Sequence, residues 1–269
     1  MTPVRTAAIT AIVAGTALLT GGVALAAPAN DTHANPTPIA ALPFSETLDT
    51  TTATTDADDT ELNEQCGAPS TDASVWYEFT AATDSGVLVD MAGSDYPAGA
   101  LIGTGGPGAW TIVACGPGRV TFGATAGETY TILVIDDQSD GGGNGGTLRL
   151  AVSETAPPPS IDIKVEATGT VDETTGSATV GGTVVCTAGS DFALVETELR
   201  QKRGPFTVIG FVQLPLTCDG AEHTWMVTIV SENGPFGPGD AANSSFAVAC
   251  SGELCGTDSQ DRVVRLHVG

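Results

Sequence analysis

Side chains able to do acid–base, nucleophilic or metal chemistry are unevenly supplied in this chain: three histidines and six cysteines stand against 32 aspartates and glutamates. Nucleophilic hydrolysis needs a hydroxyl or thiol beside a base. His33, His223 and His267 are isolated from one another, no Gly-x-Ser-x-Gly elbow or His-Glu-x-x-His pair occurs, and no Walker loop is present. The glycine run over residues 141–146 has no helix after it to aim at a phosphate and reads as a hairpin loop. A hydrolase would require His223 or His267 to meet a serine and a carboxylate in a cleft. Calcium is the sharper chemical possibility. Asp56, Asp58 and Asp59 form one oxygen-rich loop, and Asp136, Asp137 and Asp140 another. Neither has EF-hand spacing, and extracellular modules hold Ca²⁺ at roughly 0.1–1 mM. Solvated turn acids are the competing reading of the same residues.

The cysteines are better explained as crosslinks. An apolar stretch from Ala7 to Ala26 follows the single cation Arg5 and closes on Ala24-Leu25-Ala26, the small-x-small pattern of a signal peptidase site. Residues 1–27 therefore read as a signal peptide, and the protein is expected to be secreted into an oxidising space with no membrane attachment after cleavage. Cys66 and Cys115 stand alone in the first half and have each other. Cys186, Cys218, Cys250 and Cys255 allow three pairings, of which Cys186–Cys218 and Cys250–Cys255 are preferred, because the segment from Cys250 to Cys255 closes as a tight loop. Zinc would need Cys-x-x-Cys pairs or neighbouring histidines, and neither occurs.

With 9 basic against 32 acidic residues the chain carries −23, and loss of Arg5 with the leader leaves −24. Nucleic acid and anionic lipid are excluded as partners on that ground. The cluster Arg200-Gln201-Lys202-Arg203 is the one concentration of positive charge. It reads as a solvated hairpin tip or as a contact to an acidic surface.

Abundant Thr, Val, Ala and Gly without a long helical pattern predict an all-β protein. Residues 28–37 read as a flexible polar tail. The Pro-rich linker over 155–160 contains Pro157, Pro158 and Pro159, cannot continue a ladder, and reads as a stiff spacer between two β-sandwich domains, 38–154 and 161–269. In the first, strand-like runs are expected over 74–80, 86–91, 100–102, 110–114, 119–122, 129–135 and 147–152, a spacing that suits a jelly-roll-like sandwich. In the second, runs over 161–165, 177–187, 193–200, 206–213, 222–230, 241–250 and 262–268 predict an immunoglobulin-like sandwich. Ala193, Val195, Thr197 and Leu199 share one face of their strand, and Glu196, Glu198 and Arg200 the other. Trp76, Trp110 and Trp225 are assigned to cores rather than to ligand platforms.

The runs 74–80, 93–96, 113–115, 122–127 and 129–132 resemble the bacterial pre-peptidase C-terminal-like (PPC-like) domains, secreted β-sandwich modules of exported hydrolases and surface proteins. The likeness covers most of residues 38–153 and implies a non-catalytic accessory module, sometimes with calcium or a polymer as ligand. The second half, through Val184-Val185-Cys186-Thr187, Thr217-Cys218-Asp219-Gly220, His223-Thr224-Trp225 and the closing Cys250 and Cys255, resembles uncharacterised Ig-like domains of secreted actinobacterial proteins. Its Cys-x4-Cys feature is also similar to the apoproteins of enediyne chromoprotein antibiotics, which implies the fold and no binding residue. The sequence thus predicts a secreted, non-catalytic binding or accessory protein whose partner is an extracellular protein or polysaccharide. The alternatives are a small-ligand carrier in the second sandwich and a hydrolase with an unrecognised site.

Overall fold

The computed structural model describes residues 26–68, 71–139 and 141–269, so all but the last two residues of the expected leader lie outside the described residues. What is described is almost entirely strand. The first half pairs β1 (Thr37–Ile39), β3 (Asp72–Thr80), β8 (Thr129–Asp136), β5 (Ala98–Thr104) and β6 (Thr111–Pro117) in one sheet. A second sheet holds β2 (Phe44–Asp49), β9 (Thr147–Thr155), β4 (Ser85–Asp90) and β7 (Arg119–Ala124). Between the two lies the first core, where Val75, Tyr77, Phe79, Ile132 and Val134 meet Val87, Val89, Phe122, Leu148 and Leu150. Period-2 alternation makes this core, as expected.

β3 and β8 are buried on both faces. Trp76, Leu101, Leu133 and Ile135 point away from the first core into a smaller one, which Leu62 of α1 (Ala57–Asn63) covers from outside. A strand buried on two sides reads as a continuous apolar run, and the run 131–135 of β8 is such a strand. That second core also explains the N-terminal segment, expected above to be a flexible tail. Asn30 is only 3% exposed; its side chain donates to the Trp76 carbonyl at 3.0 Å while its own carbonyl accepts from the Trp76 N–H at 2.9 Å. Asp31 accepts from the Thr54 backbone at 2.6 Å and hydroxyl at 2.8 Å. The segment is a strap, held because Trp76 needs a cover over its outer face.

The second half is an eight-stranded sheet folded over on itself. β10 (Ile161–Val165) pairs with β12 (Ala178–Cys186), whose other edge takes β15 (Glu222–Ile229). β11 (Thr168–Val171) crosses over to pair in parallel with β17 (Leu254–Val268), which continues through β16 (Gly239–Ser251) and β13 (Phe192–Arg203) to β14 (Phe206–Pro215). A first strand split between the two layers, with Trp225 3% exposed in the core, makes the sandwich immunoglobulin-like. Disulfides join Cys66 to Cys115, Cys186 to Cys218 and Cys250 to Cys255. The last pair are directly opposed residues of the β16–β17 hairpin.

Candidate binding surface

Among the described residues the acidic loops bring no three carboxylates together. Asp56 is the N-cap of α1: its side chain accepts from the Asp58 N–H at 2.8 Å and the Asp59 N–H at 3.3 Å, and the Asp59 carboxylate accepts in return from the Asp56 N–H at 2.6 Å. This reciprocal capping box ties both carboxylates to the helix end. Asp59 is fully buried, and burial first of all pushes its carboxyl up to about 7. In the other loop Asp136 accepts from the backbone of Gln138 and Gly145 at 2.9 and 3.0 Å, and Asp137 from Ser139 at 2.9 Å. Asp140 lies outside the described residues. Among the described residues no group of three or more His, Cys, Asp or Glu is placed to hold a metal ion. Backbone N–H groups thus hold at least one oxygen of Asp56, Asp59, Asp136 and Asp137.

The histidines are scattered. His33 belongs to the strap, with its ring edge-on to Trp76 and Trp110 at 5.1 and 5.0 Å. His223 pairs with the Asp219 carboxylate at 2.8 Å, both side chains about half exposed, and the Ala221 N–H first, then this hydrogen bond, lower the Asp219 carboxyl. No serine hydroxyl is hydrogen-bonded to it among the described residues. His267 sits on β17 opposite Thr170. The positive cluster is split by its own strand. Gln201 points into the core and exchanges two hydrogen bonds with Gly237, at 2.7 and 2.9 Å, while Arg203 lies against the same glycine. Arg200 turns to the opposite face and bridges Glu198.

That opposite face is the surface the sequence half disclosed. The strands β14, β13, β16 and β17 lie side by side, and their outward residues align in rows. Phe211, Glu198, Ser244 and Asp261 make one row; Gln213, Glu196, Phe246 and Ser259 the next; Pro215, Leu194, Val248 and Thr257 a third. Ile209, Arg200, Ala242 and Val263 flank them on the other side. Strand spacing of about 4.8 Å and a row repeat of about 7 Å give a sheet face roughly 14 Å wide and 20 Å long. Phe211 is 57% exposed, Phe246 42%, Val263 62% and, at the end of the face, Phe192 52%. Large apolar groups so exposed on one face mark a contact surface more often than scattered singletons do. Between them the polar groups are organised: Gln213 donates to Glu196 at 2.7 Å, and Arg200 donates through Nη2 to Glu198 at 3.1 Å. The Arg200 hydrogen bond holds the Glu198 carboxyl below the usual range. A groove of about 510 Å³ runs along this face past Glu198, Arg200, Ser244, Asp261 and Val263.

Under the face lies a closed polar network. Asn243 donates to the Thr197 hydroxyl at 2.6 Å, and Ser245 donates to Thr197 and to the Asn243 oxygen, both at 2.8 Å, with all three residues at most 2% exposed. It fixes the register of β13 against β16, and hence the rows above. The sequence groups Thr197 on one face with Ala193, Val195 and Leu199 but does not point to its partners, because polar residues at alternate positions carry no apolar signal. The exposed phenylalanines were also missed as surface groups, since Phe206 to Gln213 reads simply as a strand.

No protein-family model and no curated protein matches this sequence. Among solved structures the chain is similar to a β-glucuronidase of Parabacteroides merdae, at 12% identity and a TM-score of 0.27, over 70% of this chain and 27% of that one. A β-galacturonidase of glycosyl hydrolase family 2 from Eisenbergiella tayi, bound to galacturonate, is 14% identical with a TM-score of 0.25, over 82% and 43% of the two chains. An exo-chitosanase of Amycolatopsis orientalis gives 10% and 0.21, over 70% and 25%. The chain spans less than half the length of each of these proteins.

Proposed function

We propose that this protein is an exported, non-catalytic binding module that engages an extracellular polysaccharide across the outer face of β14, β13, β16 and β17. The observation that carries this reading is the exposure of Phe211 and Phe246 on adjacent rows among Glu196, Glu198, Gln213 and Asp261. A sugar chain presents apolar C–H faces that pack on aromatic rings, and hydroxyls that donate to carboxylates. The charge of −23 makes polyanions poor occupants, so the polymer is neutral or cationic. The resemblance to accessory β-sandwich modules points the same way. Small-ligand carriage would use the same face, and the groove of about 510 Å³ is the feature that favours it.

Retention on insoluble wall polysaccharides and capture of proteins from culture supernatant test the proposal together. The chain is expected to be retained on a neutral or cationic polysaccharide, and Phe211→Ser with Phe246→Ser to abolish retention. Met226→Ser, a 72% exposed position on the other layer, leaves it unchanged. Equal retention of the double variant, or capture of a protein alone, overturns the assignment of polysaccharide to this face.

A further inference from the structure

Two domains joined by a short linker move independently unless the contact between them is extensive or locked. The triproline segment, expected to be a stiff spacer, is gripped from both sides. Pro159 is buried, and its carbonyl oxygen passes only 1.9 Å from where a Cβ on Gly256 of β17 would stand. Pro158 lies against Gly123 of β7, where a Cβ would be 2.7 Å from its Cγ. Ser160 then closes onto the second sandwich: its N–H donates to the Thr187 hydroxyl at 2.8 Å, and its carbonyl accepts from the Thr187 N–H at 2.9 Å. A third contact bypasses the linker. Leu254, beside the turn of the β16–β17 hairpin, places its Cδ1 2.8 Å from the position a Cβ on Gly86 of β4 would take, a space that Thr155 Oγ1 and the Ala156 carbonyl oxygen approach more closely, at 2.2 and 2.3 Å. β7 and β17 also lie against each other. Gly86, Gly123 and Gly256 all have φ outside the left-handed region, so their backbone conformation does not call for glycine. The close approach does.

We infer that the two sandwiches form one rigid body, with the tip of the β16–β17 hairpin as the latch. Leu254 reaches across to the first sandwich, the linker threads between Gly123 and Gly256, and the Cys250–Cys255 bond one residue from Leu254 holds the hairpin in the shape that presents it. The short disulfide at the hairpin end, which adds little to closing a chain loop, then has a role in presenting the latch. A partner meeting both sandwiches finds them already oriented, which removes an ordering cost from binding.

Backbone ¹⁵N relaxation on the full chain tests this. One common tumbling time is expected for both halves of the wild type. Gly256→Val drives a side chain into the linker carbonyl, and Leu254→Asp puts a charge into the contact; each is expected to shorten the tumbling time of each half to roughly 50%, as for separate domains of half the mass. The pair Cys250→Ala with Cys255→Ala is expected to shift it in the same direction. Dispersed amide spectra for both halves distinguish unlatching from unfolding, and Gly123→Leu repeats the test from the first sandwich. Separate short tumbling times in the wild type, or folded variants that tumble as the wild type does, overturn the inference.

Discussion

Asp59 should make the first sandwich lose stability as the pH rises from about 4 to 7. Its carboxyl is fully buried beneath the N-terminus of α1, one of its oxygens has no hydrogen-bond partner, and desolvation raises it from 3.8 to about 7. A raised carboxyl binds its proton more tightly folded than unfolded. Its stabilising effect is therefore complete below pH 3.8 and disappears as the pH passes through about 7. Three units at about 1.4 kcal/mol each give a ceiling of about 4 kcal/mol. For a domain of this size that corresponds to a fall in Tm on the order of 10 °C. Asp59→Asn removes the titration while its amide oxygen can still accept from the Asp56 N–H. The assay is calorimetric melting of wild type and variant at half-unit pH steps. The expected result is a variant whose advantage over the wild type grows between about pH 4 and 7 and levels off above that. A difference that stays constant across that range would refute the reasoning, since the general repulsion among surface carboxylates is common to both proteins.

Two further outcomes follow from side chains already placed. Asn243→Leu breaks the network with Thr197 and Ser245 and leaves the Glu198 carbonyl without its side-chain donor. It is expected to cost about 2 kcal/mol in denaturant unfolding of the second sandwich, and a cost under about 0.5 kcal/mol would show the network to be incidental. Millimolar Ca²⁺ against chelator is expected to leave Tm unchanged, because Asp56, Asp59, Asp136 and Asp137 are engaged by backbone N–H groups. A rise of several degrees would reinstate the acidic loops as ligands.

Strands that alternate or run apolar were legible, and so was their sandwich packing. The inward set Ala193, Val195, Thr197 and Leu199 is buried, as its period required. Elements with weaker local signals were not legible. β2 alternates through Ser, Thr and Asp and is not among the expected strands, α1 spans only seven residues with three acids among them, and the N-terminal strap looks disordered until Trp76 demands a cover. The early half of β17 reads as polar turn because Asp258 and Gln260 accept hydrogen bonds from the β10 backbone instead of contributing apolar surface.

Residue type and order alone were enough for the all-β class and the cysteine pairing. The first rests on local periodicity, the second on the small number of partners available. Which faces stay bare, which carboxylates are engaged and what the linker packs against were decided only when the chain folded. Those properties depend on groups far apart in sequence, such as Leu254 against Gly86 or Asn30 against Trp76. No local pattern records a contact whose two sides are each ordinary on their own.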